Sequence, residues 1–223
     1  EPGFLEGVRE VTERHGIVLV FDEMLTGFRF AAGGAQEYFG VTPDLAAFGK
    51  GLANGFPLSA VVGRRDLMML MQDIFFSGTF GGETLSLAAA NVVLGRMATG
   101  EPTAALARIG AELVESIDAS RSEASKRLLA FTGHPSWLFL KWSVADARTL
   151  NEVKTLFLQE MLRRGVLVLG THDVTTAFTA DDIALVASAY AETLDVIVEG
   201  LERGDVAARL ECPTLVPLFT LRS

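Results

Sequence analysis

Cysteine and positive charge are both scarce in this sequence of 223 residues. Cys212 is the single cysteine, which excludes an internal disulfide and is typical of a protein from a reducing compartment. Lysine and arginine number 19 against 28 aspartates and glutamates, and the resulting net charge of −9 argues against nucleic acid or an anionic membrane as a partner. No apolar run approaches the ~20 residues of a membrane span, and the N-terminus lacks a signal-peptide pattern. We therefore expect a cytoplasmic protein.

Metal-ligand patterns are missing as well. The histidines are His15, His134 and His172, and no two of them have the spacing of a metal site. We predict no metal centre. His172 follows Gly170 and Thr171, and we weigh it as a minor candidate for substrate contact, because an isolated histidine is usually structural.

The composition that remains is that of a soluble globular protein, with 49% hydrophobic and 21% charged residues. The length allows one large domain or two small ones, each with a core of its own. Apolar runs alternate with amphipathic stretches along the chain, which predicts an α/β fold. A composition shift at Ala98–Pro102 suggests a boundary, and we expect domains at residues 1–99 and 100–204, followed by a tail at 205–223.

Two short apolar runs, Ile17–Phe21 and Leu45–Phe48, organise the first of these domains. Each is bounded by turn residues, a pattern that indicates a strand covered on both faces. Asp22 follows the first run directly, and Lys50 follows the second after one glycine. Because ligands bind at the carboxyl ends of parallel strands in doubly wound folds, we expect Asp22 and Lys50 to share one edge of the sheet.

An acid and a lysine at one such edge suggest a specific chemistry. A lysine among apolar neighbours loses its proton readily and becomes an amine nucleophile. Gly49 and Gly51 leave room around Lys50 for a bulky group. The carboxylate of Asp22 can hold a positive charge on a heterocycle. A Schiff-base lysine and an acid at a pyridinium nitrogen are the anchors that pyridoxal 5′-phosphate (PLP) requires.

The remaining elements follow from periodicity and turn residues. A glycine-rich loop, Ser77–Gly82, precedes the helix predicted at 83–97, and its N–H groups suit a phosphate, although such loops are more often simple caps. The pattern predicts further strands at Leu58–Val62, Leu128–Thr132, Trp137–Trp142 and Val166–Leu169. Helices are predicted at Gly3–His15, Ala35–Phe39, Asp66–Met71, Thr103–Ser120, Leu150–Arg164 and Asp181–Glu202, the last opened by a capping box at Thr179.

Three motifs resemble the class III aminotransferases, and within that family the glutamate-1-semialdehyde aminomutase-like branch. They are VFDEMLTGFR (Val20–Arg29), its continuation GGAQEYFGVTPDLAAFGKGLANGFPLSAVVGR, and FFSGTFGGETLSLAAA (Phe75–Ala90). The resemblance is dense from Glu1 to about Met97 and continues more thinly to about Leu194. It covers only the second half of the family's chains, so we expect a natural protein of about twice this length.

The resemblance implies a fold and a site. The fold is part of the large domain of fold type I PLP-dependent transferases, a mostly parallel sheet with flanking helices, plus a smaller C-terminal α/β domain. Lys50 corresponds to the catalytic Schiff-base lysine, Asp22 to the partner of the ring nitrogen, and Met24 to an apolar residue against the ring face. Gly78 and Thr79 are implied to bind the cofactor, and Thr79 corresponds to a threonine that reaches the phosphate of the neighbouring subunit's PLP, which implies a homodimer with shared active sites.

The function implied is transfer of an amino group from an amine or amino acid donor to a keto or aldehyde acceptor. An aminomutase is the alternative, but three sequence departures favour the aminotransferase. Ala53-Asn54-Gly55 stands where aminomutases usually have three glycines, Gly81–Thr84 replaces their Ser-Gly-Asn-Pro, and Gly170–Thr176 lacks their carboxylate.

Two alternatives come from other classes. Ile17–Glu23 also fits the apolar run and acid pair that hold Mg²⁺ in ATPases. That function needs G-x-x-x-x-G-K-[ST], whereas the only Gly-Lys pair is Gly49-Lys50, with Asp44 five residues before Gly49 and Gly51 after Lys50. An inactive fragment or interaction domain is the other alternative.

Overall fold

A computed structural model describes residues 1–216 of the chain, which divides into two compact units, Glu1–Ala105 and one from Leu106 onward. The division falls within a helix, α5. The helices are α1 (Phe4–Arg14), α2 (Ala35–Phe39), α3 (Arg65–Met69), α4 (Thr84–Met97), α5 (Glu101–Ser120), α6 (Glu123–Leu128), α7 (Ala147–Arg163) and α8 (Ala180–Arg203). The strands are β1 (Val20–Asp22), β2 (Leu45–Phe48), β3 (Ala60–Gly63), β4 (Leu129–His134), β5 (Trp137–Trp142) and β6 (Thr171–Asp173).

The first unit contains a mixed sheet in the order β1-β2-β3. Strands β1 and β2 are parallel, with Val20 opposite Leu45 and Asp22 opposite Ala47, whereas β3 runs antiparallel to β2. Ala46 and Phe48 are buried with Leu52 on one face of this sheet, and Phe21 packs against them. The predicted α/β fold is confirmed.

The strand boundaries of this sheet differ from the prediction. The apolar run Ile17–Phe21 was expected to form a strand covered on both faces, but the strand is Val20–Asp22, and Ile17 and Val20 are 53% and 54% exposed. Because β1 is an edge strand here, the described chain supplies neighbours to one side of it only. The strand predicted at Leu58–Val62 begins two residues later, at Ala60.

A buried carboxylate lies at the start of β2, at the end of the sheet opposite to the carboxyl ends of β1 and β2. Asp44 accepts hydrogen bonds from Arg9 (3.0 Å), from Arg64 (2.9 Å) and from the backbone N–H of Leu19 (2.8 Å). The N–H of Leu19 and the two guanidinium groups lower the pKa of Asp44 from 3.8 to about 2. One side chain therefore joins α1, the approach to β1, the start of β2 and the end of β3.

The second unit is an antiparallel sheet, β4-β5-β6, with helices that cover one face. Helices α7 and α8 pack against each other. Fully buried side chains fill the core of this unit; among the largest are Tyr190, Phe157, Leu113, Ile117, Leu129 and Leu156. A core of this size is typical of an independent α/β unit.

Polar caps fix the ends of the long helices. The predicted capping box is present at α8, where Thr179 and Asp182 each bind the other's backbone N–H. Helix α7 begins at Ala147, three residues before the predicted start, because Asp146 accepts a hydrogen bond from the N–H of Thr149 (2.7 Å).

The strand predicted at Val166–Leu169 is wrong. The third strand of this sheet is Thr171–Asp173, which pairs antiparallel with β5. Leu167 and Leu169 are 80% and 86% exposed, and although Val168 is buried in the core of this unit, the run pairs with no strand among the described residues.

Part of the predicted tail is structured. After a 3₁₀ turn at Val206–Arg209, the chain runs back along α7, where the N–H of Glu211 binds Gln159 (2.8 Å) and the N–H of Leu215 binds Thr155 (2.9 Å). The rest of the tail, 217–223, lies outside the described residues. Within residues 1–216, no helix is both long enough and apolar enough to cross a membrane.

Candidate active site

The parallel pairing of β1 and β2 determines the geometry of the candidate site. Asp22 is paired with Ala47, and the N–H of Glu23 continues the ladder to the carbonyl of Ala47 (2.9 Å). Both strands end at this edge of the sheet, β1 at Asp22 and β2 at Phe48, two residues before Lys50. Asp22 therefore ends β1, and Lys50 follows the end of the adjacent β2, at the same end of the sheet.

Met24 and Gly49 bring the two segments into contact. A Cβ atom on Gly49 would lie 2.3 Å from the terminal methyl group of Met24 and 2.8 Å from its sulfur. The thioether thus lies directly against the backbone that leads into Lys50, in space that only glycine leaves free.

Lys50 opens a short 3₁₀ turn, Lys50–Leu52, in an unusual conformation. Its φ of +43° lies in the left-handed region, which a side chain other than that of glycine rarely adopts. Residues held in this way concentrate at functional sites. Lys50 is exposed, so the apolar surroundings that the sequence led us to expect around its amine are not supplied by the described residues.

Asp22 is also exposed, and its carboxylate has a fixed local partner. The N–H of Met24 donates to its Oδ1 at 3.0 Å, which turns the chain sharply after the strand. An acid, an amine and a thioether thus line one open edge, next to a glycine with no side chain. An acid, an amine and an apolar thioether are the groups that could hold a planar, positively charged heterocycle that carries a carbonyl group.

The predicted phosphate-binding residues lie on an exposed turn before α4. Gly78 accepts a hydrogen bond from the N–H of Gly81 (2.9 Å), and Thr79 follows it. The first N–H groups of α4 are engaged by Glu83, whose carboxylate accepts from Leu85 (2.9 Å) and Ser86 (2.6 Å).

The hydroxyl and N–H of Ser86 and the N–H of Leu85 lower the pKa of Glu83, which keeps this cap charged. A phosphate at this turn would therefore rely on the Thr79 hydroxyl and the loop, not on the end of the helix. Helix α4 packs against the Lys50 turn. The role of Gly78 and Thr79 stays a prediction.

Two further residues, Glu23 and Phe28, shape the segment after β1. Glu23 is 1% exposed and accepts hydrogen bonds from Thr26, Ala35 and Gln36. Phe28 has a φ of +62°, and its ring lies 5.4 Å from that of Phe48. The sequence signal for Glu23 was its position directly after Asp22, whereas no sequence pattern predicts a phenylalanine with a positive φ.

His172 is engaged within the second unit. Its Nε2 lies 2.5 Å from the hydroxyl of the buried Tyr190, and burial lowers the pKa of His172 from 6.5 to about 4. The same desolvation raises the pKa of Tyr190. The pair is therefore neutral at physiological pH, and the ring nitrogen that could meet a substrate is already hydrogen-bonded.

Comparisons with known proteins identify the family of this chain. The sequence model of the family "Aminotransferase class-III" matches residues 1–201 of this chain. Glutamate-1-semialdehyde 2,1-aminomutase of Syntrophobacter fumaroxidans is 38% identical over 179 residues, which are 74% of this chain and 40% of that protein. The 3-aminobutyryl-CoA aminotransferase of Cloacimonas acidaminovorans is 33% identical over 201 residues, or 87% of this chain and 47% of that protein.

A solved structure extends the comparison to the fold. The FumI protein of Sphingopyxis sp. MTA144, in its PLP internal aldimine form, superposes with a TM-score of 0.78 and 26% identity over 89% of this chain and 48% of that protein. The chain thus spans about half the length of the relatives it matches. The family uses PLP. The chain belongs to the class-III aminotransferase family.

Proposed function

We propose that the protein is a PLP-dependent aminotransferase that moves an amino group between a small amine or amino acid donor and a keto or aldehyde acceptor. The observation that carries this proposal is the in-register parallel pair β1 and β2, which directs Asp22 and Lys50 to one edge. The contact of Met24 with Gly49 supports it, because it leaves an apolar surface between the two charged groups.

Each residue has a defined task in the proposed reaction. PLP, when bound, supplies an electron-withdrawing ring that stabilises negative charge at the substrate Cα. Lys50 would hold the cofactor through its amine and, once its amine is free, would accept and return the proton of the substrate Cα. Asp22 keeps the ring nitrogen protonated, and Met24 covers one face of the ring.

A homodimer with shared active sites completes the proposal. Phe75 and Phe76, just before the Thr79 turn, are 95% and 76% exposed, and Leu85 and Val92 of α4 are 68% and 63% exposed. Apolar surface of this extent marks an interface. A second copy that covers it would bring the Thr79 hydroxyl toward the phosphate of its partner's cofactor. Cytoplasmic location stays part of the prediction.

The principal test is substitution of the lysine in the natural full-length protein. We expect Lys50→Ala to abolish both turnover and the visible absorbance of the lysine-bound cofactor. Lys141→Ala, at an exposed lysine on β5, is the matched control and should retain both. Turnover that survives in Lys50→Ala would show that the lysine assignment is wrong, and a wild-type protein that binds no PLP would favour an inactive chain.

The aminomutase alternative is retained because one of the relatives above carries that name. An aminomutase keeps the amino group on one carbon skeleton and needs no second substrate. Incubation with glutamate-1-semialdehyde alone, and then an amine donor with pyruvate, separates the two. We expect sustained turnover only when donor and acceptor are both present. Isomerisation of the semialdehyde alone would establish the aminomutase.

A further inference from the structure

The loop between β1 and α2 is closed at its root by one buried carboxylate. Glu23, directly after Asp22, accepts hydrogen bonds from the Thr26 hydroxyl (2.5 Å) and from the N–H groups of Ala35 (2.8 Å) and Gln36 (3.0 Å). A Cβ atom on Gly34 would lie 2.7 Å from both carboxylate oxygens, so the loop closes tightly over them. The Glu23 side chain is thus hydrogen-bonded to the backbone of residues that lie 12 and 13 positions further along the chain.

The middle of this loop packs against the residues that lead into Lys50. The N–H of Gly27 binds the carbonyl of Glu23 (2.9 Å), and a Cβ atom on Gly27 would lie 2.6 Å from the Phe48 ring. Phe28 adopts φ +62° and packs its ring on the same Phe48. The Met24 methyl group fills the space beside Gly49.

A strained residue persists only where its surroundings determine its conformation. Both Phe28 and Lys50 have positive φ, and they lie on the two segments that this packing brings together. The carboxylate of Glu23 is the group that closes the first of these segments on itself. Its loss would release the loop, and with it the surface against which Phe48 and Gly49 pack.

We propose that Glu23 is a positioning residue, which acts through the loop from Met24 to Gln36 to orient Asp22 and hold Lys50 in its left-handed conformation. This inference rests on the proposed function, because its consequence is measured at the cofactor that Asp22 and Lys50 hold. Glu23 itself contacts neither substrate nor cofactor in this proposal.

The test is a pH titration of the visible cofactor absorbance in the natural full-length holoenzyme. Positive charge at the ring nitrogen, held by Asp22, opposes a proton on the nitrogen that joins Lys50 to the cofactor. If the loop loosens, the interaction of Asp22 with the ring nitrogen weakens, and less positive charge remains on the ring. The nitrogen that joins Lys50 to the cofactor then stays protonated to higher pH. We expect Glu23→Gln to raise the titration midpoint by about one pH unit and to weaken cofactor binding about tenfold.

The direction of the shift separates positioning from a direct charge effect. If Glu23 acted only as a nearby negative charge, its neutralisation would lower the midpoint, because a proton near it would lose a favourable partner. Thr26→Val removes one hydrogen bond from the carboxylate and keeps its charge. We expect Thr26→Val to raise the midpoint by a smaller amount than Glu23→Gln. It replaces Glu23→Gln as the test if that variant does not fold.

Asp44→Asn is the matched control. Asp44 is a second buried carboxylate of the same sheet, 4% exposed, at the opposite edge from Lys50. We expect its substitution to lower the unfolding temperature without moving the midpoint. An unchanged or lowered midpoint in both Glu23→Gln and Thr26→Val, or an equal shift in Asp44→Asn, overturns the inference while the proposed function stands. A wild-type protein without Lys50-dependent visible absorbance overturns both.

Discussion

The terminal methyl group of Met24 occupies the space that a side chain on Gly49 would need. An added Cβ atom would lie 2.3 Å from that methyl carbon, well inside van der Waals contact. The two residues belong to the segments that carry Asp22 and Lys50, so their contact joins these segments beyond the end of the strand pairing.

Substitution of Gly49 by alanine should therefore displace Met24 or the Lys50 turn. Its φ of −167° is accessible to alanine, so the expected defect comes from the steric clash and not from backbone strain. We expect Gly49→Ala to lower cofactor affinity about tenfold, a loss of about 1.4 kcal/mol, measured by equilibrium titration with PLP.

Gly51 provides the matched control for this prediction. A Cβ atom there meets only the carbonyl of Gly27, at 4.0 Å, so Gly51→Ala should lower the affinity for PLP less than Gly49→Ala does. The shorter side chain in Met24→Val, combined with Gly49→Ala, should recover part of the affinity. Equal losses in Gly49→Ala and Gly51→Ala would show that the contact with Met24 is unimportant.

The pair formed by His172 and Tyr190 predicts a loss of stability in mild acid. Burial lowers the pKa of His172 from 6.5 to about 4, so between these values the unfolded chain binds a proton that the folded chain does not. Stability therefore falls as the pH drops below 6.5, by about 1–2 kcal/mol near pH 5. His172→Gln, which can still bind the tyrosine hydroxyl, should remove this part of the pH dependence.

Urea unfolding at several pH values between 7 and about 4.5 measures this effect. The variant should be less stable than the wild type at pH 7 and approach it as the pH falls. Parallel pH profiles for the two proteins would mean that His172 titrates normally. Trp137 and Trp142 report on the unfolding, since both lie in the same unit as His172.

Among the glycines of the second unit, Gly110 of α5 lies closest to the backbone of another segment. A Cβ atom there would lie 1.8 Å from the carbonyl oxygen of Pro135 and 2.6 Å from its carbon. Because both atoms belong to the backbone, relief requires movement of the helix. We expect Gly110→Ala to destabilise this unit by about 3 kcal/mol, despite the higher helix propensity of alanine.

Gly7 of α1 is the control for this substitution. It also lies inside a helix, and a Cβ atom there meets nothing within 4 Å. Gly7→Ala should stabilise the protein by up to about 1 kcal/mol, the ordinary difference in helix propensity. A stabilising effect of Gly110→Ala in the same assay would contradict the packing of α5 against Pro135.

The sequence predicted those elements whose signals are local. The capping box at Thr179 and the apolar period of the following residues placed α8 within one residue at each end. The boundary of β1 was missed because the apolar run begins at Ile17, whereas pairing with β2 begins at Val20, and pairing depends on the partner strand. The apolar run Val166–Leu169 packs Val168 into the core but pairs with no strand among the described residues.

The candidate site was predictable to a similar degree. Asp22 and Lys50 were found because each follows an apolar run, and the parallel register brings them to one edge as expected. The three hydrogen bonds of Glu23 were not predictable, because two of its partners lie 12 and 13 residues away on α2. The positive φ of Phe28 was equally hidden, since it arises from packing on Phe48 and not from its own preference.

The ladder between β1 and β2 has a consequence for the variability of such a protein. Because main-chain hydrogen bonds set the lateral spacing of β1 and β2, at about 4.8 Å, the distance between these two strands does not depend on the identity of any side chain. Residues that face the substrate from neighbouring loops can then change while this spacing is inherited intact. Insertion of a single residue within β1, by contrast, would turn Asp22 to the other face of the sheet and away from Lys50.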